Sequence, residues 1–370
     1  MKTIRDFSVQ GKRVLVRCDF NVPLDARGDI VNDFRIAQSL PTIRYLLEKG
    51  ARVVLMSHLG EPDETDPKKY SLSRVREALS LLLGKEVESS LDCVGLKTEK
   101  LVSSLKEGEA LLLENLRFHK GEKANDEAFA KQLASLGEIF INDAFSASHR
   151  AHASIVGVPK FLPSGIGFLM EKELSNLESF SRDPRHPFVV VVGGRKVKDK
   201  LSFIDEISQV ADSVLLGNLV AKEVKAEGVV FLHPEKIVLP LDGNPPDLEY
   251  DIGPETEKLF LEKLKGVKSV FWAGPLGMTH EEEYAKGSLA VAKAILASKA
   301  FAVGGGGNLS AFLGEYGLRD KFAHVSTGGG ASLAFLAREE LPGLKVLGYY
   351  EEDHGNQESS KGGLEAHASH

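Results

Sequence analysis

Short apolar runs alternate along the whole chain with segments of helical periodicity. In the first half the runs are RVLVRCDF (13–20), ARVVLMSH (51–58), EALLLENL (109–116) and EIFINDAF (138–145). In the second half they are FVVVVGG (188–194), DSVLLGN (212–218), KSVFWAG (268–274), AFAVGGG (300–306) and FAHVSTGGG (322–330). Buried strands that alternate with helices are typical of parallel βαβ units. The pattern therefore predicts an α/β fold with two halves of similar design.

Two helices can be placed from the pattern with defined ends. The segment LPTIRYLLEKG repeats apolar residues at a spacing of three to four and stops at Gly50, as a helix end does. A second helix is expected from Phe168 to Phe180, between breakers at 163–165 and 184–187. We interpret 163–186 as a connector between a domain at 1–162 and a domain at 187–347. The last residues lack periodicity and predict a disordered tail.

Composition narrows the class of protein. The chain has 370 residues, a net charge of −7 and only two cysteines, Cys18 and Cys93. This length favours two domains, and the acidic balance argues against a nucleic-acid or membrane surface. Two cysteines exclude a disulfide scaffold or a zinc ribbon. With no apolar leader at the N-terminus and no long apolar run, we expect a cytoplasmic protein.

The residues that follow the strands differ between the halves. Open α/β sheets bind ligands at the carboxyl ends of their strands. In the first half these positions are polar or charged: Asp19, Asn21, Ser57, His58, Asn115, Arg117, Asn142 and Asp143. In the second half they are largely glycine: 193–194, 217, 274, 304–307 and 328–330. Two different ligands, one for each half, are the simplest interpretation.

The second half carries two candidate phosphate-binding segments. In GGRKVKDK, glycines leave backbone N–H groups free before a helix, and basic residues crowd a helix N-terminus where they are unfavourable without an anion. STGGGAS likewise places three glycines before a helix. For GGRKVKDK the structural alternative is a solvated basic helix start, and for STGGGAS it is a plain strand-to-helix turn. No Walker pattern occurs, and GGGGN has Leu309 where a dinucleotide fingerprint needs glycine.

The first half offers a dispersed set of cations. The set comprises Arg35, His58, Arg117 and Arg150, and the three arginines are placed just after predicted strands. Arginine suits phosphate and carboxylate recognition, although each residue alone could be an ordinary surface charge. Asp19 and Asn21 in DFNVP could hold a hydroxyl group or simply form an Asx-type turn before proline.

Taken together, these motifs resemble the phosphoglycerate kinase family. The matching segments, in order, are RCDFNVP, SHLG, LLENLRFHKGEKAND, NDAFSASHRAHASIVG, GGRKVKDK, DIGPET, GPLG, FAVGGG, KFAHVSTGGGASL and LPGL. The resemblance implies two Rossmann-like domains with parallel sheets, joined by a helical hinge, with the active site in the interdomain cleft. It implies reversible phosphoryl transfer between 1,3-bisphosphoglycerate and ADP, by domain closure and in-line transfer. It also implies that residues 348–370 return to the N-terminal domain before the tail.

The resemblance assigns residues to each role. Phosphoglycerate binding is implied for Asp19, Asn21, Arg35, His58, Arg117 and Arg150. Nucleotide binding, as Mg-ATP or Mg-ADP, is implied for Gly194, Lys196, Lys200, Gly217, Pro275, Glu281, Gly304, Gly305, Gly306, Gly328, Gly329 and Gly330. Arg35, Lys196 and Gly329 are the implied catalytic residues. No metal ligand is assigned, and a monomer without nucleic-acid or membrane partners is expected.

Several positions depart from the family pattern. Glu61 replaces an arginine beside the implied phosphate site, and we expect it to turn to solvent or to pair with Arg117, Arg150 or a lysine. Ala273, His280 and Gly307 replace an asparagine, a glutamate and an aspartate of the nucleotide site. The segment LVAKEV (219–224) and the absence of an aspartate after the glycines 304–306 are more similar to archaeal-type members of the family. A catalytically impaired, ligand-binding relative is therefore the alternative hypothesis.

Overall fold

The computed structural model describes residues 1–62, 67–181, 183–194, 197–246 and 250–351. The chain divides into two compact units. Of the described residues, the first unit comprises those within Met1–Glu171 together with 340–351, and the second comprises those within Lys172–Glu339. No helix among the described residues is long and apolar enough to cross a membrane.

The first unit is built around a parallel sheet. Within the described residues the sheet has six strands in the order β3-β4-β2-β1-β5-β6. The strands are β1 (Arg13–Arg17), β2 (Arg52–Met56), β3 (Glu88–Ser89), β4 (Ala110–Leu112), β5 (Ile139–Asn142) and β6 (Ser164–Ile166). The helices are α1 (Phe34–Glu48), α2 (Ser73–Leu83), α3 (Leu96–Ser104), α4 (Lys120–Lys123) and α5 (Glu127–Ser135), with α6 (Phe168–Ser181) leading into the second unit.

The apolar runs become strands because both faces of this sheet are covered. In β1, Val14 and Val16 belong to one buried cluster, whereas Leu15 between them belongs to the cluster on the opposite face. Side chains alternate between the two faces of a strand, so a strand buried on both faces needs an unbroken apolar run. The predicted run at 13–20 has this property, and the prediction of a parallel strand there is confirmed.

The second unit repeats the same architecture. Its described residues form a six-stranded parallel sheet in the order β14-β13-β12-β7-β8-β9 and a small antiparallel pair, β10 with β11. The strands are β7 (Phe188–Val192), β8 (Ser213–Leu216), β9 (Ile237–Val238), β10 (Gly243–Asn244), β11 (Asp251–Ile252), β12 (Ser269–Ala273), β13 (Phe301–Gly305) and β14 (His324–Ser326). The helices are α7 (Lys198–Val210), α8 (Asn218–Ala226), α9 (Pro254–Lys263), α10 (Lys286–Ser298), α11 (Gly307–Glu315) and α12 (Gly330–Leu336), and a short α13 (Pro342–Lys345) follows in the first unit.

The nine predicted runs are all strands, and the α/β fold with two parallel sheets is confirmed. The predicted helix at Phe168 to Phe180 is also present, as α6. The buried Asp143 fixes its first turn, because one carboxylate oxygen accepts hydrogen bonds from the backbone N–H groups of Leu169 at 3.0 Å and Met170 at 3.1 Å. One feature was not predicted: the breakers at 163–165 include the start of β6, which pairs with β5.

Candidate functional site

The parallel sheet of the first unit gathers the predicted polar residues at one edge. Asp19 lies two residues after the end of β1, His58 two residues after β2, and Asn115 three residues after β4. These three strands are neighbours in the sheet and run in the same direction. Their carboxyl ends therefore meet at one edge, where α/β sheets place their ligand sites.

His58 lies at this edge in a defined protonation state. Its Nδ1 is 3.0 Å from a guanidinium nitrogen of Arg17. A guanidinium can only donate, so Nδ1 accepts and the ring proton is on Nε2. Burial first, and then the charges of the neighbouring arginines, hold the pKa of His58 well below its usual 6.5. His58 is therefore a neutral imidazole that offers an N–H donor at neutral pH.

Arg17 is a residue of this edge that sequence reasoning missed. Its side chain is fully buried, and besides His58 it donates to Ser154 Oγ at 2.9 Å and to the Cys18 carbonyl oxygen at 2.6 Å. Ser154 in turn donates to the buried carboxylate of Glu122 at 2.6 Å. A buried charge needs such partners to offset the loss of hydration. Arg17 thus positions His58, and the only signal for it in the sequence was a charge inside the apolar run RVLVRCDF.

Asp19 and Asn21 organise the neighbouring loops. The carboxylate of Asp19 is fully buried, forms an ion pair with Arg35 and accepts a hydrogen bond from Ser146 Oγ at 2.7 Å. Asn21 Oδ1 accepts from the backbone N–H of Gly60 at 2.8 Å. The ion pair holds the guanidinium of Arg35, whose side chain is 20% exposed, at the edge of the sheet. A partly exposed arginine fixed in this way is preorganised to receive an anion.

Arg117 and Glu61 form a pair at the same edge. One guanidinium nitrogen of Arg117 donates to the Gly60 carbonyl oxygen at 2.6 Å and to Glu61 Oε1 at 2.5 Å, and the other oxygen of Glu61 pairs with Lys123. The prediction that Glu61 pairs with Arg117 or a lysine is confirmed. Among the described residues, the buried Nε of Arg117 has no hydrogen-bond partner. Arg117 therefore retains donor capacity beyond its contact with Glu61.

Arg150 and two neighbouring histidines complete the polar groups at this edge. Arg150 is exposed, and its Nε lies 3.3 Å from His149 Nε2. Burial, followed by the charges of the surrounding arginines, lowers the pKa of His152 to about 4. The arginines therefore carry the positive charge of this edge while the histidines stay neutral. Such a surface can bind a small polyanion with arginine forks and a neutral N–H donor.

The second unit presents backbone where the first presents side chains. Gly193 follows β7, and a Cβ built on it would lie 2.2 Å from the carbonyl oxygen of Pro275. Only glycine permits this approach of two loops. Lys200 lies beside them, 8% exposed, and its Nζ donates to the Gly193 carbonyl oxygen at 2.7 Å. Gly217 packs against the same turn, with Gly193 Cα 3.5 Å from the position of its missing Cβ.

A cavity of about 340 Å³ opens beside these loops. Its lining combines loop and helix residues: Gly194, Leu219, Pro275, Gly277, Met278, Thr279, His280, Asn308, Ala311, Phe312 and Glu315. The predicted residues Gly194 and Pro275 are therefore on its wall. Glu281 lies next to His280, with 53% of its side chain exposed. A cavity of this size with apolar walls and few polar groups is typical of a small-molecule site.

The remaining predicted glycines lie at the ends of two adjacent strands. Gly304 and Gly305 are buried within β13, whereas Gly306 and Gly329 have positive φ values of 102° and 48°, a backbone conformation that favours glycine. Gly328 is buried and Gly330 begins α12. Lys196 lies outside the described residues. Gly307, where the resemblance expects an aspartate, faces open space, so no side-chain metal ligand is assigned there.

The loop after β14 is fixed by a buried carboxylate. Glu173 of α6 accepts hydrogen bonds from His324 Nε2 at 2.9 Å and from the backbone N–H of Thr327 at 2.7 Å. Burial alone would raise the pKa of Glu173, but these hydrogen bonds and the contact with His324 lower it, so the carboxylate is ionised. Glu173, which the sequence did not single out, thereby holds the glycines 328–330 in place.

Comparisons with known proteins agree with this geometry. A family profile described as phosphoglycerate kinase matches residues 4–231 and 231–339. The phosphoglycerate kinase of Coprothermobacter proteolyticus is 43% identical over 94% of this chain and 98% of that protein, and the one of Moorella thermoacetica is 42% identical over 93% and 98%. The crystal structure of phosphoglycerate kinase from Pyrococcus horikoshii OT3 has a TM-score of 0.86 and 33% identity, covering 95% of this chain and all of that one. The structure from Coxiella burnetii has a TM-score of 0.77 and 31% identity, covering 94% and 99%. Because these matches extend along nearly its whole length, the chain belongs to the phosphoglycerate kinase family.

Proposed function

We propose that the carboxyl edge of the first sheet, with Arg35, His58, Arg117 and Arg150 (the basic edge), binds phosphoglycerate. We propose that the carboxyl edge of the second sheet, with glycines 193–194, 304–306 and 328–330 (the glycine edge), binds Mg-ADP or Mg-ATP. The chain has the activity of its family, reversible phosphoryl transfer between 1,3-bisphosphoglycerate and ADP that yields 3-phosphoglycerate and ATP. The observation that carries the assignment is the neutral His58, oriented by Arg17 and surrounded by arginines. A phosphorylated three-carbon acid offers the two anionic groups and the hydroxyl that such a surface recognises.

Each residue of the basic edge has a proposed task. Arg117 and Arg150 address the phosphate of the substrate, and His58 donates its Nε2–H to an anionic oxygen. Asp19 and Asn21 address the hydroxyl group and hold the loops that carry the cations. Arg35, kept in place by Asp19, binds the carboxyl end of the substrate and offers its charge to the group that is transferred. In phosphoryl transfer, catalysis rests on such positioning and on neutralising charge at the equatorial oxygens.

The glycine edge recognises the nucleotide mainly with backbone. Gly194 and Pro275 line the cavity proposed for the nucleoside, and Lys200 lies beside Gly193, where phosphates would enter. Gly304–306, Gly217 and Gly328–330 let the backbone approach the phosphates closely. To complete this site, Lys196 is proposed to contact the transferred phosphate, and Glu281 is proposed to contact the sugar of the nucleotide. Mg²⁺ enters as part of the nucleotide substrate, since it is held largely by phosphates and water.

The impaired alternative loses part of its support. It rested on Glu61, Ala273, His280 and Gly307 as departures from the family pattern. Glu61, with 60% of its side chain exposed, is neutralised by Arg117 and Lys123 and does not present an unpaired carboxylate. Closure of the two halves before transfer stays a prediction, which scattering measurements with each substrate and with both would test through the radius of gyration.

The test of the proposal is Arg35→Ala in a coupled assay with 3-phosphoglycerate and Mg-ATP. Because Arg35 is assigned to the transferred group, kcat should fall by about a hundredfold or more, as when other cations of phosphoryl transfer are removed. Arg44→Ala is the matched control, an exposed arginine on the same helix that contacts the Leu82 carbonyl oxygen. An unchanged kcat in Arg35→Ala, with a native unfolding midpoint, would remove Arg35 from the reaction.

A further inference from the structure

A cluster of metal-ligand side chains lies beside the basic edge and plays no part in the proposed reaction. Asp92 and Cys93 belong to the loop between β3 and α3, and His119 follows the turn Leu116–Phe118 after β4. A carboxylate oxygen of Asp92, Cys93 Sγ and a ring nitrogen of His119 all lie within 4.8 Å of one another. Long-range folding has thus brought one oxygen, one nitrogen and one sulfur ligand together.

The three groups are already fixed in position. His119 Nε2 is 2.6 Å from Asp92 Oδ1, and the His119 ring stacks on Phe129 with a centroid distance of 4.9 Å. Cys93 is fully buried, and its Sγ donates to the Glu114 carbonyl oxygen at 2.9 Å. His119 and Asp92 are 30% and 55% exposed, so an ion could reach the cluster from solvent. The site therefore has a buried soft ligand and an open entrance.

We propose that Asp92, Cys93 and His119 bind one divalent ion of the zinc class. Zinc binds thiolate, imidazole and carboxylate at about 2.0–2.3 Å, so tetrahedral ligands lie roughly 3.3–3.6 Å apart. The observed separations, from 2.6 Å to at most 4.8 Å, bracket this range and need only small side-chain shifts. A water molecule or the Glu114 carbonyl oxygen is available as a fourth ligand.

The chemistry of the cluster also selects against Mg²⁺. Thiolate and imidazole favour zinc-class ions, whereas Mg²⁺ prefers oxygen ligands in octahedral geometry. Binding requires the Cys93 thiol to lose its proton, which is released to solvent as the metal–sulfur bond forms. Because the metal binds the thiolate, the affinity should increase as the pH rises. The ion is thus distinct from the one that accompanies the nucleotide.

Cobalt spectroscopy on the full chain tests the proposal without using catalysis. Chelator-washed protein titrated with Co²⁺ should develop a thiolate-to-cobalt band in the near ultraviolet, saturating at one equivalent and abolished by excess Zn²⁺. The thiolate band distinguishes this cluster from surface histidines, which bind cobalt without such a band. Cys18→Ala is the matched control, because Cys18 is the other buried cysteine. It should retain the band.

Two variants decide the outcome. Cys93→Ser should lose the band and weaken Co²⁺ binding by more than about a hundredfold. Replacing a residue that contacts only a ligand, and not the metal, typically weakens binding by about 10–100-fold, so a larger loss identifies Cys93 as a ligand. Should that variant fail to fold, His119→Gln, at a partly exposed position, should still weaken binding by at least about tenfold. A parent protein without a thiolate band, a band that survives Cys93→Ser, or unchanged affinity in His119→Gln would overturn the proposal.

Discussion

The two units have parallel sheets with the same number of described strands, yet their carboxyl edges carry opposite kinds of surface. The edge of the first unit consists of ionised or oriented side chains, such as Arg35, His58 and Arg117. The edge of the second consists largely of glycine backbone, and at Gly193 two loops come close together. One topology therefore presents two kinds of surface, and if each binds the ligand proposed for it, the two edges should fail in different ways. The first should be sensitive to removed charge, and the second to added volume.

The largest effect is expected from Arg17→Met. This change leaves Glu122, Ser154 and His58 without their buried cation, and unpairing a buried ion typically costs about 3–5 kcal/mol. The free energy of unfolding, measured with denaturant, should fall by that amount. Arg52→Met is the control, a partly exposed arginine at the other end of the neighbouring strand, where about 1 kcal/mol is expected. Equal losses in the two variants would contradict the role given to Arg17.

Asp143 should make the stability of the first unit depend on pH. Burial raises the pKa of this carboxyl to about 6, from 3.8 in an unfolded chain. The folded protein therefore retains a proton that the unfolded chain releases, and the carboxyl costs stability as the pH rises through this window. Relative to the parent, Asp143→Asn should gain about 3 kcal/mol between about pH 4 and pH 7. Titration of His58 and His152 is common to both proteins and cancels in the difference; a flat or falling difference would refute this assignment.

The glycine edge should respond to a single methyl group. In Gly193→Ala the added Cβ would meet the Pro275 carbonyl oxygen at 2.2 Å, so the loops must move apart. Such overpacking costs about 1–3 kcal/mol, and we expect KM for Mg-ATP to rise by about tenfold. Gly307→Ala adds the same group where no atom lies within 4 Å and should leave KM nearly unchanged. Similar effects of the two substitutions would show that close backbone approach at Gly193 is not what matters.

The smallest effect is expected at Glu61. This half-exposed carboxylate neutralises part of Arg117, so Glu61→Gln should free the guanidinium for the substrate phosphate. Arg117 is only 3% exposed, but the Glu61 side chain is 60% exposed and is screened by solvent, so the pair is worth about 0–1 kcal/mol. This corresponds to at most a severalfold decrease in KM for 3-phosphoglycerate. The gain should shrink as salt is added. Glu99→Gln removes the same charge from an exposed helix and serves as control. A higher KM at low salt would contradict this assignment.

The sequence predicted the fold well and the contacts of the site only in part. Runs such as Val189 to Val192 identify strands because burial on both faces demands an unbroken apolar stretch, and parallel pairing then fixes which strand ends meet. Short strands such as Ile237–Val238 carry too few residues to show a pattern. The role of Arg17 could not be predicted from the sequence, because its partners, His58 and Ser154, are 41 and 137 residues away in the chain. Local patterns place residues at an edge, but they do not show which of them touch.

Calorimetric titration of two variants with both ligands tests the division of labour between the edges most directly. Arg35→Ala and Gly193→Ala would each be titrated with 3-phosphoglycerate and, separately, with Mg-ADP. We predict a crossed result: Arg35→Ala binds 3-phosphoglycerate at least about tenfold more weakly with Mg-ADP affinity preserved, and Gly193→Ala shows the reverse. Loss of the same ligand in both variants, or an equal loss of both ligands in each, would contradict it.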